Sequence, residues 1–429
     1  MFNQGLSLDQ APPISVVLRF FLTVPLFGLL LSLIMILYPH EVLTPTHPVS
    51  LGAIHLLFLG VISMSMIGAL FQMQSVLGGT PIPSPVGNSL IVHTLFAAGV
   101  LALCGAFFFS QPAGFVIAAV LLGSAIVFFA QLLLNLLFKA VSHDTLRGMR
   151  LAVISLLVTA LLGVVMATAY ANETFGNYHD VLRESHYSLG LIGWVGALIV
   201  AVAFQVVEMF YVTTSYSSWC KRNAFRIITA SLFLKIVFLF ARLPFVWVFD
   251  LVLAALMLGF AVTTVRRLRE RKRRVSDVSI WFWGTGMGLL LISLMAHLAY
   301  LYWALESLET TALISFALFA LSIILGMMSK IVPFLIWFHL SAQGFMETPI
   351  MSNIIPARRN QLLFALFGIS ALFALVSPAY SSLLSFSGGG FLALFGLLGY
   401  NLTRAANLYA HTKATGTRFE MSMHNAAAS

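Results

Sequence analysis

Twelve stretches of about twenty or more apolar residues follow one another along this chain with little between them, and each is long enough to cross the hydrocarbon core of a bilayer as a helix. They lie near residues 15–38, 50–77, 88–110, 113–138, 148–170, 185–212, 223–241, 243–265, 279–302, 311–340, 360–378 and 386–408. A bilayer interior has no water to satisfy open backbone groups, so the expected fold is an all-α membrane protein. Composition agrees, with 60% hydrophobic and only 9% charged residues, more apolar surface than a soluble domain can hide. The stretches use nearly all 429 residues. Residues 1–429 therefore read as a single integral membrane domain, and any chemistry must sit among the helices.

A formal charge of +9 would suit a nucleic-acid binder, but the basic residues sit where a membrane protein needs them. Lys139, Arg147 and Arg150 fall between the fourth and fifth stretches, Lys221, Arg222 and Arg226 between the sixth and seventh, and Arg358 and Arg359 between the tenth and eleventh. The densest run, Arg266 to Arg274, joins the eighth to the ninth. All are even-to-odd connections, whereas the opposite ones hold Glu173, Asp180, Glu184, Glu306 and Glu309. The positive-inside rule then places both termini in the cytoplasm, with the basic run against lipid headgroups and no nucleic-acid partner. No cationic segment precedes the first apolar stretch, which argues against a cleaved signal peptide. Cys104 and Cys220 are too few and too far apart for a cysteine metal motif or a disulfide framework and read as reduced packing residues.

Three of the stretches carry versions of one pattern. The second runs from His55-Leu-Leu-Phe-Leu-Gly60 to Gly68-Ala-Leu-Phe-Gln72, and the sixth from His186-Tyr-Ser-Leu-Gly190 to Ala201-Val-Ala-Phe-Gln205. The tenth, Gly326 to Phe334, keeps the inner half and lacks the histidine. A repeat with a period of about four helices implies three arcs of four, with the second, sixth and tenth helices facing a common interior. At about 1.5 Å per residue, His55 and His186 lie less than about 10 Å below the outer edge, and His297, near the far end of the ninth stretch, returns to a similar depth. Neutral imidazole binds heme iron, copper and zinc, and separate helices are the usual source of ligands in a bundle. The three histidines are thus candidate cofactor and metal ligands. The alternative is that each bonds a carbonyl or hydroxyl of a neighbouring helix.

Arg242 and Arg183, at the same level, are candidate partners for heme propionates, and Asp250 a candidate to orient an imidazole or pair with Arg242. Toward the cytoplasm, Gln72, Gln205, Glu208 and Lys330 fall at comparable depth. A Lys330–Glu208 pair is the economical arrangement there, as a structural clamp or as part of a proton or ion path. Lys235 is buried in the seventh stretch with no obvious partner. Pro333 is expected to kink the tenth helix. His40, His47 and His179 read as solvated, His93 and His339 as interfacial, and Met64, Met66 and Met73 as packing residues.

These features together resemble a known architecture. Twelve helices in three pseudo-symmetric arcs of four, with a histidine near the outer end of the second, look like the catalytic subunit I of the heme-copper oxidases and their nitric-oxide-reductase relatives. The strings His55-Leu-Leu-Phe-Leu-Gly with Gly-Ala-Leu-Phe-Gln72, Phe204-Gln-Val-Val, and Lys330-Ile-Val-Pro-Phe-Leu-Ile-Trp-Phe-His339 look more specifically like a proteobacterial group of oxidase-like membrane proteins. That group stands near the NnrS family of heme- and copper-containing proteins linked to nitric oxide tolerance. The resemblance implies that His55 matches a low-spin heme ligand and that His186 stands on the helix carrying the first copper ligand. It also implies no complete oxygen-reducing centre, because the sixth stretch lacks His-Pro-Glu-Val-Tyr, the seventh an adjacent histidine pair and the tenth a His-x-His.

The expectation is an inner-membrane protein of oxidase-like fold that binds heme or copper on its outer side through His55, His186 and His297. Its role would be redox-linked or in handling metal, heme or nitric oxide, with lipids and respiratory or heme/copper assembly proteins as partners; whether it is an enzyme is left open. A metal-free transporter using a Lys330/Glu208 polar layer is the rival, and a membrane assembly factor the third reading.

Overall fold

The computed structural model describes residues 10–141, 144–272 and 277–417; Arg273 and Arg274 of the basic run lie outside these. Among the described residues the elements are all helical, and twelve helices are long and apolar enough to cross a membrane. These are α1 (Ile14–Leu37), α2 (Pro48–Gly78), α3 (Pro85–Phe109), α4 (Pro112–Lys139), α5 (Asp144–Asn172), α6 (His179–Tyr211), α7 (Ser218–Phe240), α8 (Trp247–Arg269), α9 (Val278–Trp303), α10 (Glu306–Ala342), α11 (Ala357–Val376) and α12 (Leu383–Thr415). The chain is therefore a multi-pass membrane protein.

Helix boundaries follow local chemistry. Proline opens α2, α3 and α4 at the first turn, where its missing N–H costs nothing. Ser217 and Asp277 accept backbone N–H groups as caps of α7 and α9, and the His47 ring does the same for α2. The Arg150 guanidinium covers the open carbonyls of Leu137 and Ala140 at the end of α4, at 2.6 and 3.5 Å. Gly79, at φ 60°, ends α2 in the left-handed conformation that glycine adopts freely.

Nine of the helices form a ring. Each of α1, α3, α4, α5, α7, α8, α9, α11 and α12 packs on the next in this order, and α12 closes on α1. The remaining α2, α6 and α10 are the most enclosed, with 67%, 72% and 83% of their central windows buried against 28–50% for the others. Serine hydroxyls stitch neighbours together. Ser322 and Ser293 donate to the Phe282 and Ala312 carbonyls across the α9–α10 seam at 2.7 and 2.8 Å, and Ser385 donates to the Ile36 carbonyl across the α12–α1 closure at 3.1 Å. Pro333 lies inside α10, which runs unbroken for 37 residues.

Two segments depart from α geometry, Leu56–Ser63 in α2 and Leu189–Gly196 in α6. Each is an eight-residue π-helical turn just inside the histidine. In both helices glycine permits close packing: a Cβ on Gly68 would stand 2.7 Å from the Phe20 Cβ of α1. Gly68→Ala should consequently cost about 1–3 kcal/mol by overpacking and lower the melting temperature in detergent. Gly105→Ala in α3, where an added Cβ meets open space, should leave it unchanged or slightly raised.

Candidate histidine site and buried ion network

His55 and His186 each stand seven residues past the first residue of their helix, and the structure brings them together. Their ring centres are 6.2 Å apart, with the planes inclined at 41°. His55 Nδ1 lies 2.7 Å from the Leu51 carbonyl, one turn back in α2, and His186 Nδ1 lies 2.9 Å from the Thr159 carbonyl of α5. A carbonyl only accepts, so each Nδ1 carries the hydrogen and each Nε2 keeps a free lone pair. This is the tautomer a metal ligand needs. Phe107 stacks on His55 with centroids 5.6 Å apart. Gly163 of α5 leaves room for His186, since a Cβ there would sit 3.1 Å from Cε1 of the ring.

His297 is placed with a different set of groups. Its Nε2 is 3.9 Å from Asp250 Oδ1, and the same oxygen accepts from Lys235 Nζ at 2.6 Å. Lys235 also meets Glu184 at 3.1 Å and lies 6.0 Å from the centre of the Tyr187 ring. Groups of α6 and α8 thus meet the ammonium of Lys235 on α7, a residue that is 2% exposed, and α9 joins through His297 beside Asp250. The sequence leaves Lys235 without a partner and offers Asp250 to an imidazole or to Arg242; the short α7–α8 turn brings Asp250 onto Lys235 and beside the His297 imidazole, and Arg242 is not its partner. Arg242, with φ 50° in that turn, donates to the Asn177 carbonyl at 2.8 Å and stacks over Tyr178. Arg183 is exposed, 3.6 Å from Asp180.

At the basic end the expected Lys330–Glu208 pair does not form. Lys330 pairs with Asp277, the cap of α9, and lies over the Tyr211 and Phe210 rings. Glu208 pairs with Lys221 at 2.6 Å and accepts from Tyr216 N and Ser215 Oγ at 2.8 and 3.1 Å. Each charge takes an oppositely charged residue at the start of another helix, Asp277 at the cap of α9 and Lys221 in the first turn of α7. Gln72 is buried with its Oε1 unpartnered, and Gln205 is half-buried. His93, expected at the interface, bonds Thr23 Oγ1 at 2.7 Å, and Met64 and Met66 are buried in the core.

The donor set limits what the histidine pair can hold. Two imidazole nitrogens about 2 Å from one metal, on roughly opposite sides, put the ring centres about 6 Å apart, which the observed 6.2 Å matches. Two nitrogens suit the axial positions of heme iron or a two-coordinate copper, whereas zinc takes three or four protein ligands. Among the described residues no group of three or more His, Cys, Asp or Glu side chains is arranged to hold a metal. Comparison with protein-family models and with curated proteins finds no match for this chain.

Two outcomes follow from the ion pairs. Lys235→Ala strands Asp250 in the interior and should cost about 3–5 kcal/mol; Lys235→Ala combined with Asp250→Asn should recover much of it, measured by thermal unfolding. Burial resists charging Asp277, but the Lys330 ammonium and the Ser279 hydroxyl and N–H hold its carboxyl below the ordinary range. A carboxyl held low stabilises the fold at neutral pH and loses that contribution as pH falls through its folded value. The wild type should therefore lose melting temperature relative to Asp277→Asn below about pH 4, with parallel curves between pH 6 and 8.

Proposed function

We propose that this chain is a bacterial inner-membrane protein of oxidase-like fold, with both termini cytoplasmic, that holds heme or copper between His55 and His186. Its role is redox-linked or lies in handling metal, heme or nitric oxide. One observation carries the reading: two histidines from distant helices stand 6.2 Å apart with both Nδ1 atoms engaged by carbonyls. The carbonyls satisfy the two Nδ1 hydrogens and leave both Nε2 lone pairs available to a shared ion.

Bound heme or copper supplies one-electron chemistry at this point. The chain's own residues supply two Nε2 donors and the carbonyls of Leu51 and Thr159 that fix their orientation. Arg183, one turn outward of His186, and Arg242 offer cations to the carboxylates of a heme. The absence of the oxidase ligand strings separates this role from energy-conserving oxygen reduction.

Expressed with ample heme and copper and purified in detergent, the protein should show sharp reduced-state bands with near-stoichiometric iron, or copper without pigment. His55→Ala and His186→Ala should each lower the bound iron or copper tenfold or more, while His297→Ala should retain it. A colourless, metal-free wild type would sink the proposal.

The rival reading, a metal-free transporter, loses the Lys330–Glu208 layer expected for it and is favoured instead by the Lys235–Asp250–Glu184 network beside His297, since ionisable groups inside a membrane by default mark ion or proton paths. In that case Lys235→Ala abolishes transport and the double histidine variant preserves it.

A further inference from the structure

Below the histidine pair, α2 and α6 make a second direct contact. The Trp194 indole N–H donates to Ser63 Oγ at 2.8 Å, and both residues are sealed from the surroundings, 2% and 1% exposed. The two contacts share one register. His55 and His186 are 131 residues apart, as are Ser63 and Trp194, so each helix carries its two contact residues eight positions apart.

That spacing is wrong for a plain α-helix, which leaves positions i and i+8 about 80° apart around the axis. One α turn of about 3.6 residues and one π turn of about 4.4 together take up eight. Both helices place π-helical residues in this interval, Leu56–Ser63 in α2 and the first six residues of Leu189–Gly196 in α6. The π turn therefore returns each histidine to the face that carries its Ser63 or Trp194 rung. Two parallel helices with the same irregularity, set two residues further from the histidine in α6 than in α2, form a two-rung ladder, one rung of imidazoles and one of indole and hydroxyl.

We propose that Trp194 and Ser63 are positioning residues that set the separation and facing of His55 and His186. An indole N–H in an apolar interior needs an acceptor, and Ser63 is the one it has, so the rung has a fixed length and fixes the rotation of α6 against α2. This inference rests on the histidine pair of the proposed function, but its test does not require a bound cofactor.

The experiment is a rate measurement on purified full-length protein. Diethylpyrocarbonate modification of His55, His186 and His297 would be followed by mass spectrometry in wild type, Trp194→Phe, Ser63→Ala and Ser63→Thr, each shown monodisperse. Trp194→Phe and Ser63→Ala should raise the rates at His55 and His186 several-fold and leave His297 unchanged, and Ser63→Thr, which keeps the hydroxyl, should behave as wild type. Iron and copper content of the same samples should fall with the first two variants only. Unchanged His55 and His186 rates in folded Trp194→Phe and Ser63→Ala would overturn the proposal. Should the wild type carry no metal while the rates still respond, the ladder stands and the cofactor reading falls. Insertion of one alanine after Leu59, which turns His55 off the shared face, should expose both histidines; wild-type rates in that variant would also overturn the ladder.

Discussion

A polar group inside this bundle has to find its partner within the protein, because the surrounding hydrocarbon offers none. That constraint shapes each feature described above. The imidazoles take backbone carbonyls, the Trp194 indole takes the Ser63 hydroxyl, and the Lys235 ammonium takes two carboxylates from different helices. In water these would be weak preferences; between helices each fixes a rotation or a register. The site is thus a by-product of satisfying polar atoms, with two Nε2 lone pairs left over where α2 and α6 meet.

Much of the fold was legible in the sequence because its signals are one-dimensional. Apolar length set the twelve crossings, and all twelve agree with the helices observed. The repeat singled out the second, sixth and tenth helices, and these are the three with the largest buried share. The meeting of His55 and His186 was legible as shared depth but not as shared position, because depth follows from counting residues and lateral placement follows from packing.

What the sequence hid has physical causes. His297 shares the depth of the pair, yet a carboxylate at 3.9 Å places it with Asp250. Lys330 and Glu208 share a level too, and each found an opposite charge at the start of another helix, in Asp277 and Lys221. Matching by depth overlooks the charged residues that open neighbouring helices. The π-helical segments left no trace in the repeat: each helix carries one of eight residues, so they cancel when the two repeats are compared.

Charge binds α6, α7 and α8 through Lys235, with α9 joined through His297 beside Asp250, while α2 interlocks with α1 through the glycine contacts at Gly60 and Gly68. His55 and His186 therefore belong to two separately braced groups of helices and face each other across the joint between them. An ion gripped by both would act as a rivet through that joint, and its arrival or loss would be felt as a tightening or slackening of one half of the bundle against the other.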